Sequence, residues 1–134
     1  MIRIFGFAVV LFALVTVAFG HHSQSQFDLS KQITIEGTLS QIGWSNPHSL
    51  FYINAKRTDD QAGAAVRWVV EGPSPLQLVA AGWQKTAASV GDKVTMVGAP
   101  RRDGQRQLLL QGVVLADGKK FLFKNDPTGG GAGN

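Results

Sequence analysis

A single helix signal interrupts a chain whose other patterned segments are typical of β-strands. Ser74 can cap this helix, Pro75 suits its first position, and Gly82 can end it in a left-handed conformation. We expect Trp83 to fold back onto Leu78, which is the usual hydrophobic contact at such an ending. One short helix among many strands restricts the fold to a small mainly β class.

The strand-patterned segments lie on both sides of the helix. They cover residues 32–44, 50–55 and 66–71 before it, and 93–98, 108–115 and 121–123 after it. The alternation slips in the first segment between Leu39 and Ile42, which predicts a bulge that bends this strand. The order β-β-β-α-β-β is that of the OB fold. We therefore predict an OB-like five-stranded Greek-key barrel with one extra C-terminal strand, and a β-sandwich is the competing fold.

The N-terminus has the pattern of a secretory signal. An apolar run at 4–17 follows the positive charge of Arg3, and the small residues Ala18 and Gly20 suit a cleavage site. The run is shorter than the roughly 20 apolar residues of a membrane-spanning helix, although a membrane anchor is the alternative. We expect residues 1–20 to be removed, which leaves a periplasmic or secreted protein without a membrane span.

Four segments follow from these patterns. They are the signal peptide 1–20, a polar arm 21–30, the β domain 31–125 and a disordered glycine-rich tail 126–134. The chain has no cysteine, so disulfides and thiolate chemistry are excluded. Its net charge of +4 is mildly basic. In an exported protein this charge favours anionic ligands or the cell envelope over nucleic acid.

No pattern of catalytic residues is recognisable in the sequence. It contains no nucleophile elbow and no glycine-rich phosphate loop that opens a helix, and it has only two glutamates. Asp28 and Glu36 are the best carboxylate pair, but one falls in the polar arm and the other on an exposed strand face. We expect a non-enzymatic protein.

The histidines form the first candidate site. Cleavage after Gly20 would leave His21 at the N-terminus, where its amine and ring can chelate one metal ion, with His22 beside it. Such nitrogen-rich sites suit Cu(II), and Zn(II) is also compatible. His48 lies in the predicted loop after the first strand, and Glu71, at the end of the third, could be an oxygen ligand or could orient a histidine. Cleavage after Ala18 would remove the chelate, and exposed histidines often bind nothing.

A second candidate site needs no metal. Trp44 and Asn46 lie on the same predicted loop as His48, and Arg101 and Arg102 lie on the loop between the fourth and fifth strands. An aromatic face beside guanidinium groups can bind an anionic or sugar-like molecule. The alternative is that the tryptophans belong to the core and the arginines to a solvated turn. A purely structural envelope protein is a third possibility.

Several motifs resemble a widespread family of short exported bacterial proteins of unknown function. The most specific are the His21-His22-Ser23 triplet and the Trp44-Ser45-Asn46-Pro47-His48 segment. Further shared motifs are Phe27-Asp28, Gly37-Thr38, Glu71 with Ser74-Pro75, Gly82-Trp83, Gly91-Asp92, Asp103-Gly104 and Leu115-Ala116-Asp117-Gly118. The resemblance implies an exported small β domain. It also implies that the histidine pair, Trp44, Asn46, His48 and Glu71 belong to one pattern, and it implies no activity.

Overall fold

The structure, a computed structural model, describes residues 24–60 and 62–123. Its elements are β1 Ile33–Gly43, β2 Leu50–Arg57, β3 Val66–Glu71, the helix α1 Pro75–Ala80, a 3₁₀ turn Lys85–Ala87, β4 Lys93–Pro100, β5 Gln107–Val114 and β6 Lys120–Leu122. This order confirms the predicted one, and the 3₁₀ turn is an addition. The predicted signal peptide and the predicted tail at 126–134 lie outside the described residues. Within those residues, no helix has the length and apolar character needed to cross a membrane.

The strands form a closed barrel. Their order in the sheet is β3-β2-β1-β4-β5-β6, and β3 also pairs with β5. This closing pair is parallel and places Val70 opposite Leu108 and Glu71 opposite Leu109, whereas the other strand pairs are antiparallel. Five strands therefore make the ring and β6 lies outside it. The prediction of a five-stranded barrel with one extra strand is confirmed, and the sandwich alternative is wrong.

The long strand β1 serves two sides of the barrel. It pairs with β4 over Ile33 to Thr38 and with β2 as far as Gly43. Its pairing with β2 shifts register between Leu39 and Gln41, within the stretch where the sequence alternation slips. A bulge bends a strand and increases its twist, so β1 can change partners without ending.

The helix and its C-terminal turn bring Leu78 and Trp83 into the core, where both are fully buried. Ser74 and Gln77 form a capping box at the start of α1. At its end Gly82 has a φ of 93°, and the Trp83 N–H donates to the Leu78 carbonyl at 2.9 Å. These are the features of a Schellman ending. They confirm the predicted helix and the predicted return of Trp83 onto Leu78.

Aromatic rings fill the core around Trp83. The Phe51 ring stacks on Trp83 with centroids 4.8 Å apart, and the Phe121 ring from β6 lies 6.0 Å away on a nearly parallel plane. Trp44 meets Trp83 edge to face at 6.2 Å. Such pairs add about 0.5–1.5 kcal/mol beyond the burial of their area. Although β6 lies outside the ring, it packs on the core through Phe121.

Two glycines of β1 differ in the space around them, which gives a test of the packing. A Cβ at Gly37 would lie 2.1 Å from the Asn54 carbonyl oxygen, whereas a Cβ at Gly43 meets nothing closer than 3.5 Å. We expect Gly37→Ala to lower the free energy of unfolding by about 3 kcal/mol or more, because backbone must move. Gly43→Ala should change it by less than about 1 kcal/mol. Urea unfolding of both variants measures the difference, and equal effects would contradict this packing.

Candidate functional site

The loop between β1 and β2 carries His48 and is tied to the end of β3. The Ser45 hydroxyl donates to the His48 carbonyl at 3.1 Å, and the Asn46–Pro47 peptide is cis. The next residue, Ser49, is fully buried, and its N–H donates to the Pro73 carbonyl at 3.0 Å. The Gly72 N–H donates in return to the Ser49 carbonyl at 2.8 Å. These two bonds hold the His48 segment beside the last residues of β3.

Glu71, the last residue of β3, points away from the barrel interior. Its neighbour Val70 is a fully buried core residue, and successive side chains of a strand alternate between its two faces. Even so, the Glu71 side chain is only 12% exposed. Its Oε1 lies 3.7 Å from Nδ1 of His48, and its Oε2 accepts a 3.4 Å hydrogen bond from Nε2 of Gln107. Two residues of the predicted metal site, His48 and Glu71, are therefore in contact range.

Arg101 completes the cluster from the loop after β4. Its Nη1 donates to Oε1 of Gln107 at 3.2 Å, while its Nε and Nη2 donate to the Asp103 carboxylate at 3.0 and 2.6 Å. The Arg101 guanidinium lowers the pKa of Asp103, and Asp103 raises the pKa of Arg101. The charge of Arg101 is thus balanced first by Asp103, and it also interacts electrostatically with Glu71, while Gln107 bridges the two side chains by hydrogen bonds.

The N-terminal arm packs on the same side of the barrel. Phe27 is buried against Ala99 and Leu109, and Leu109 is the residue opposite Glu71 in the β3–β5 pair. The Asp28 N–H donates to the Pro100 carbonyl at 2.8 Å. The arm at residues 24–30 was expected only as a polar extension, and its packing on the barrel was not foreseen. The one sequence feature that could have indicated this packing is Phe27, a large aromatic residue between polar neighbours.

Arg102 is bonded to this arm and is not part of an unoccupied basic surface. Its backbone N–H donates to the Gln26 carbonyl at 2.9 Å, and its Nε donates to the Ser25 carbonyl at 3.2 Å. Its Nη1 also lies 3.8 Å from the Asp28 carboxylate. Both arginines of the predicted anion site therefore contact other parts of the chain, Arg101 through Asp103 and Arg102 through the arm.

The remaining residues of the two predicted sites are not among the hydrogen-bonding partners of this cluster or lie outside the described residues. Trp44 is half-buried and packs on the core, and Asn46 is exposed on its loop. His21 and His22 lie outside the described residues. Across 24–60 and 62–123, no group of three or more His, Cys, Asp or Glu side chains is placed to hold a metal ion. The described part of the chain brings together two candidate metal ligands, His48 and Glu71. Gln107 bonds to Glu71 and Arg101 bonds to Gln107.

We expect Phe27→Ala to release the arm while leaving the barrel folded. Truncating a buried Phe costs about 3–5 kcal/mol, so amides that depend on the arm should exchange roughly 100-fold faster or more. The two reporters are the Asp28 N–H and the Arg102 N–H, which bond across the interface. Hydrogen exchange followed by NMR measures both. Leu29→Ala, which truncates an exposed neighbour, should leave them unchanged; protection retained in Phe27→Ala would contradict the docking.

The arm should also weaken in acid. The Ser30 hydroxyl, and after it Lys31, hold the pKa of Asp28 below its ordinary value of 3.8. A carboxyl whose pKa is lowered by folding stabilises the folded state above its unfolded pKa, and this stabilisation is lost as the pH falls through the folded value. We expect the difference in unfolding free energy between wild type and Asp28→Asn to favour wild type at pH 6 and to shrink as the pH falls below 3.8. Urea unfolding across this range measures it; a difference that does not depend on pH would contradict the assignment.

Comparison with known proteins identifies the family but no activity. No curated protein matches the chain. A solved structure described as "Crystal structure of the ZRD-deleted mutant of TiaS in complex with agmatine" resembles it with a TM-score of 0.46 at 13% sequence identity. The likeness covers 74% of this chain and 24% of that one, so this chain spans about a quarter of that protein. A likeness this distant says nothing of what this chain binds. The model of DUF6152, a family of unknown function, matches residues 9–111, and the chain therefore belongs to that family.

Proposed function

We propose that this protein is an exported, non-enzymatic module that binds a divalent transition metal ion through its histidines, with Cu(II) as the first candidate and Zn(II) as the second. The observation that carries the proposal is the contact between His48 and Glu71, whose Nδ1 and Oε1 atoms lie 3.7 Å apart. Export is supported by the apolar run at 4–17 and the small residues that follow it.

The surroundings of Glu71 are suited to a bound cation. A largely buried carboxylate needs hydrogen bonds or an opposite charge to offset its lost hydration. Gln107 gives it one long hydrogen bond, His48 Nδ1 lies 3.7 Å away, and the positive charge of Arg101 is shared with Asp103. A metal ion bound between Glu71 and His48 would supply the positive charge.

The spacing of the two donors is suitable for a shared metal ion. With bonds of about 2.0–2.2 Å, two ligand atoms lie about 3.3–3.5 Å apart in tetrahedral Zn(II) geometry and about 2.8–3.1 Å apart at neighbouring corners of a tetragonal Cu(II) site. The observed 3.7 Å between His48 Nδ1 and Glu71 Oε1 is close to the tetrahedral edge and longer than the tetragonal one. A small rotation of either side chain would close the difference. The same pair also suits the arrangement in which Glu71 orients the imidazole and His48 binds the metal through Nε2.

Two ligands are too few for tight metal binding, and the N-terminal arm could bring further ligands to the site. Phe27 fixes the arm near Leu109, on the side of the barrel that carries Glu71. The proposed ligands His21 and His22 shortly precede this docked segment in the sequence, and a chain spans at most about 3.5 Å per residue. In the mature protein this tether would keep the amine and ring of His21, and the ring of His22, within reach of this side of the barrel.

The test is a titration of the mature protein, beginning at His21, with Cu(II) and with Zn(II) by calorimetry. We expect His48→Ala, Glu71→Gln and His21→Ala each to weaken Cu(II) binding by about tenfold or more. The affinity should fall as the pH is lowered, because protons compete with the metal for imidazole nitrogen.

Glu36→Gln is the matched control for Glu71→Gln, since Glu36 is the other glutamate of the sequence and is exposed on β1. A version that begins at Phe19 should bind less tightly, because its amine is no longer next to the His21 ring. Equal binding by wild type, His48→Ala and His21→Ala would rule out the proposed site. Mass spectrometry of the exported protein gives its N-terminal residue and tests the cleavage independently.

A further inference from the structure

Gln107 lies between a guanidinium and a carboxylate, and the structure engages both ends of its amide. Its Oε1 accepts from Nη1 of Arg101 at 3.2 Å, and its Nε2 donates to Oε2 of Glu71 at 3.4 Å. A guanidinium can only donate and a carboxylate can only accept. One orientation of the amide satisfies both neighbours, and the opposite orientation satisfies neither.

The backbone around Gln107 is fixed by the closing strand pair. Gln107 is the first residue of β5 and is paired with Val69 of β3, two residues before Glu71. The Val69 N–H donates to the Arg106 carbonyl at 3.0 Å, next to this pair. A side chain on a paired strand is held more accurately than one on a loop. Gln107 therefore has a constant position relative to the Glu71 backbone.

Arg101 is fixed from the other side. The Asp103 carboxylate accepts from both its Nε and its Nη2, so the guanidinium plane is held by a two-point contact. Arg101 also forms an isolated β-bridge with Phe27, which secures its backbone under the arm. With Nε and Nη2 engaged by Asp103, the Nη1 group of Arg101 is directed at Gln107.

We propose that Gln107, backed by Arg101, is a positioning residue of the metal site. It binds Oε2 of Glu71 and so leaves Oε1 directed at His48. This inference rests on the proposed function, since it assigns a role in the same site. Gln107 does not itself bind the metal. It acts by restricting Glu71 to the rotamer that suits the ion, so its effect on metal affinity requires Glu71.

This dependence allows a double-mutant cycle as the test. Gln107→Leu keeps a similar volume and removes both hydrogen bonds of the amide. We expect it to weaken Cu(II) binding by about tenfold, within the range found for residues that orient metal ligands. In the Glu71→Gln background the same substitution should change the affinity by less than twofold. Non-additivity of this kind identifies residues that act through one another.

Gln111→Leu is the matched control, because Gln111 lies on the same strand, is also half-buried and bonds to Gln32 instead of Glu71. It should leave the affinity within twofold of wild type. Gln107→Asn is a second variant that keeps the amide but is one methylene shorter, so it cannot reach both partners and should show the same loss. Thermal unfolding checks that each variant is folded.

A metal-free measurement separates this inference from the proposed function. In the apo protein, Gln107→Leu should perturb the NMR resonances of the His48 ring in the same direction as Glu71→Gln, and Gln111→Leu should not. His48-dependent Cu(II) binding that is equally tight in wild type and Gln107→Leu would overturn the positioning role and leave the metal site standing. Absence of His48-dependent binding in wild type would overturn the proposed function. If, in addition, the His48 ring resonances were unperturbed in Gln107→Leu, Gln107 would not position Glu71 relative to His48.

Discussion

The parallel pairing of β3 with β5 is the constraint on which the rest of this molecule depends. It closes the barrel, so the strand edges of the ring are paired and the inner faces enclose one core. The same pairing places the last residue of β3 beside the first residues of β5. Glu71, Gln107 and Leu109 become neighbours through this contact alone. A polar cluster and an apolar seat for the arm therefore lie side by side on the outer face.

Most of the fold could be predicted from local sequence patterns. The alternation of apolar residues predicts the strands, and the slip after Leu39 predicts the bulge in β1. Ser74, Gly82 and Trp83 predict the helix and its ending, because capping is decided within a few residues of the chain. Barrel closure followed from element order, since this order has few compact solutions.

The site could be predicted only in part. His48 and Glu71 were named from residue type and from a resemblance, and the structure brings them within 3.7 Å. Gln107 and Phe27 were missed, because a lone glutamine or phenylalanine has no local pattern and its role depends on residues far away in the sequence. The arginines show the converse. Arg101 and Arg102 resemble a basic surface in the sequence, whereas their main partners lie within the chain.

The docking of Phe27 has a consequence for the order in which the molecule assembles. Phe27 packs on Ala99 and Leu109, which lie some 70 to 80 positions later in the chain. Contacts between residues so distant along the chain form late, after the intervening polypeptide has collapsed. We therefore expect the N-terminal arm to dock only after the strands of the barrel have paired.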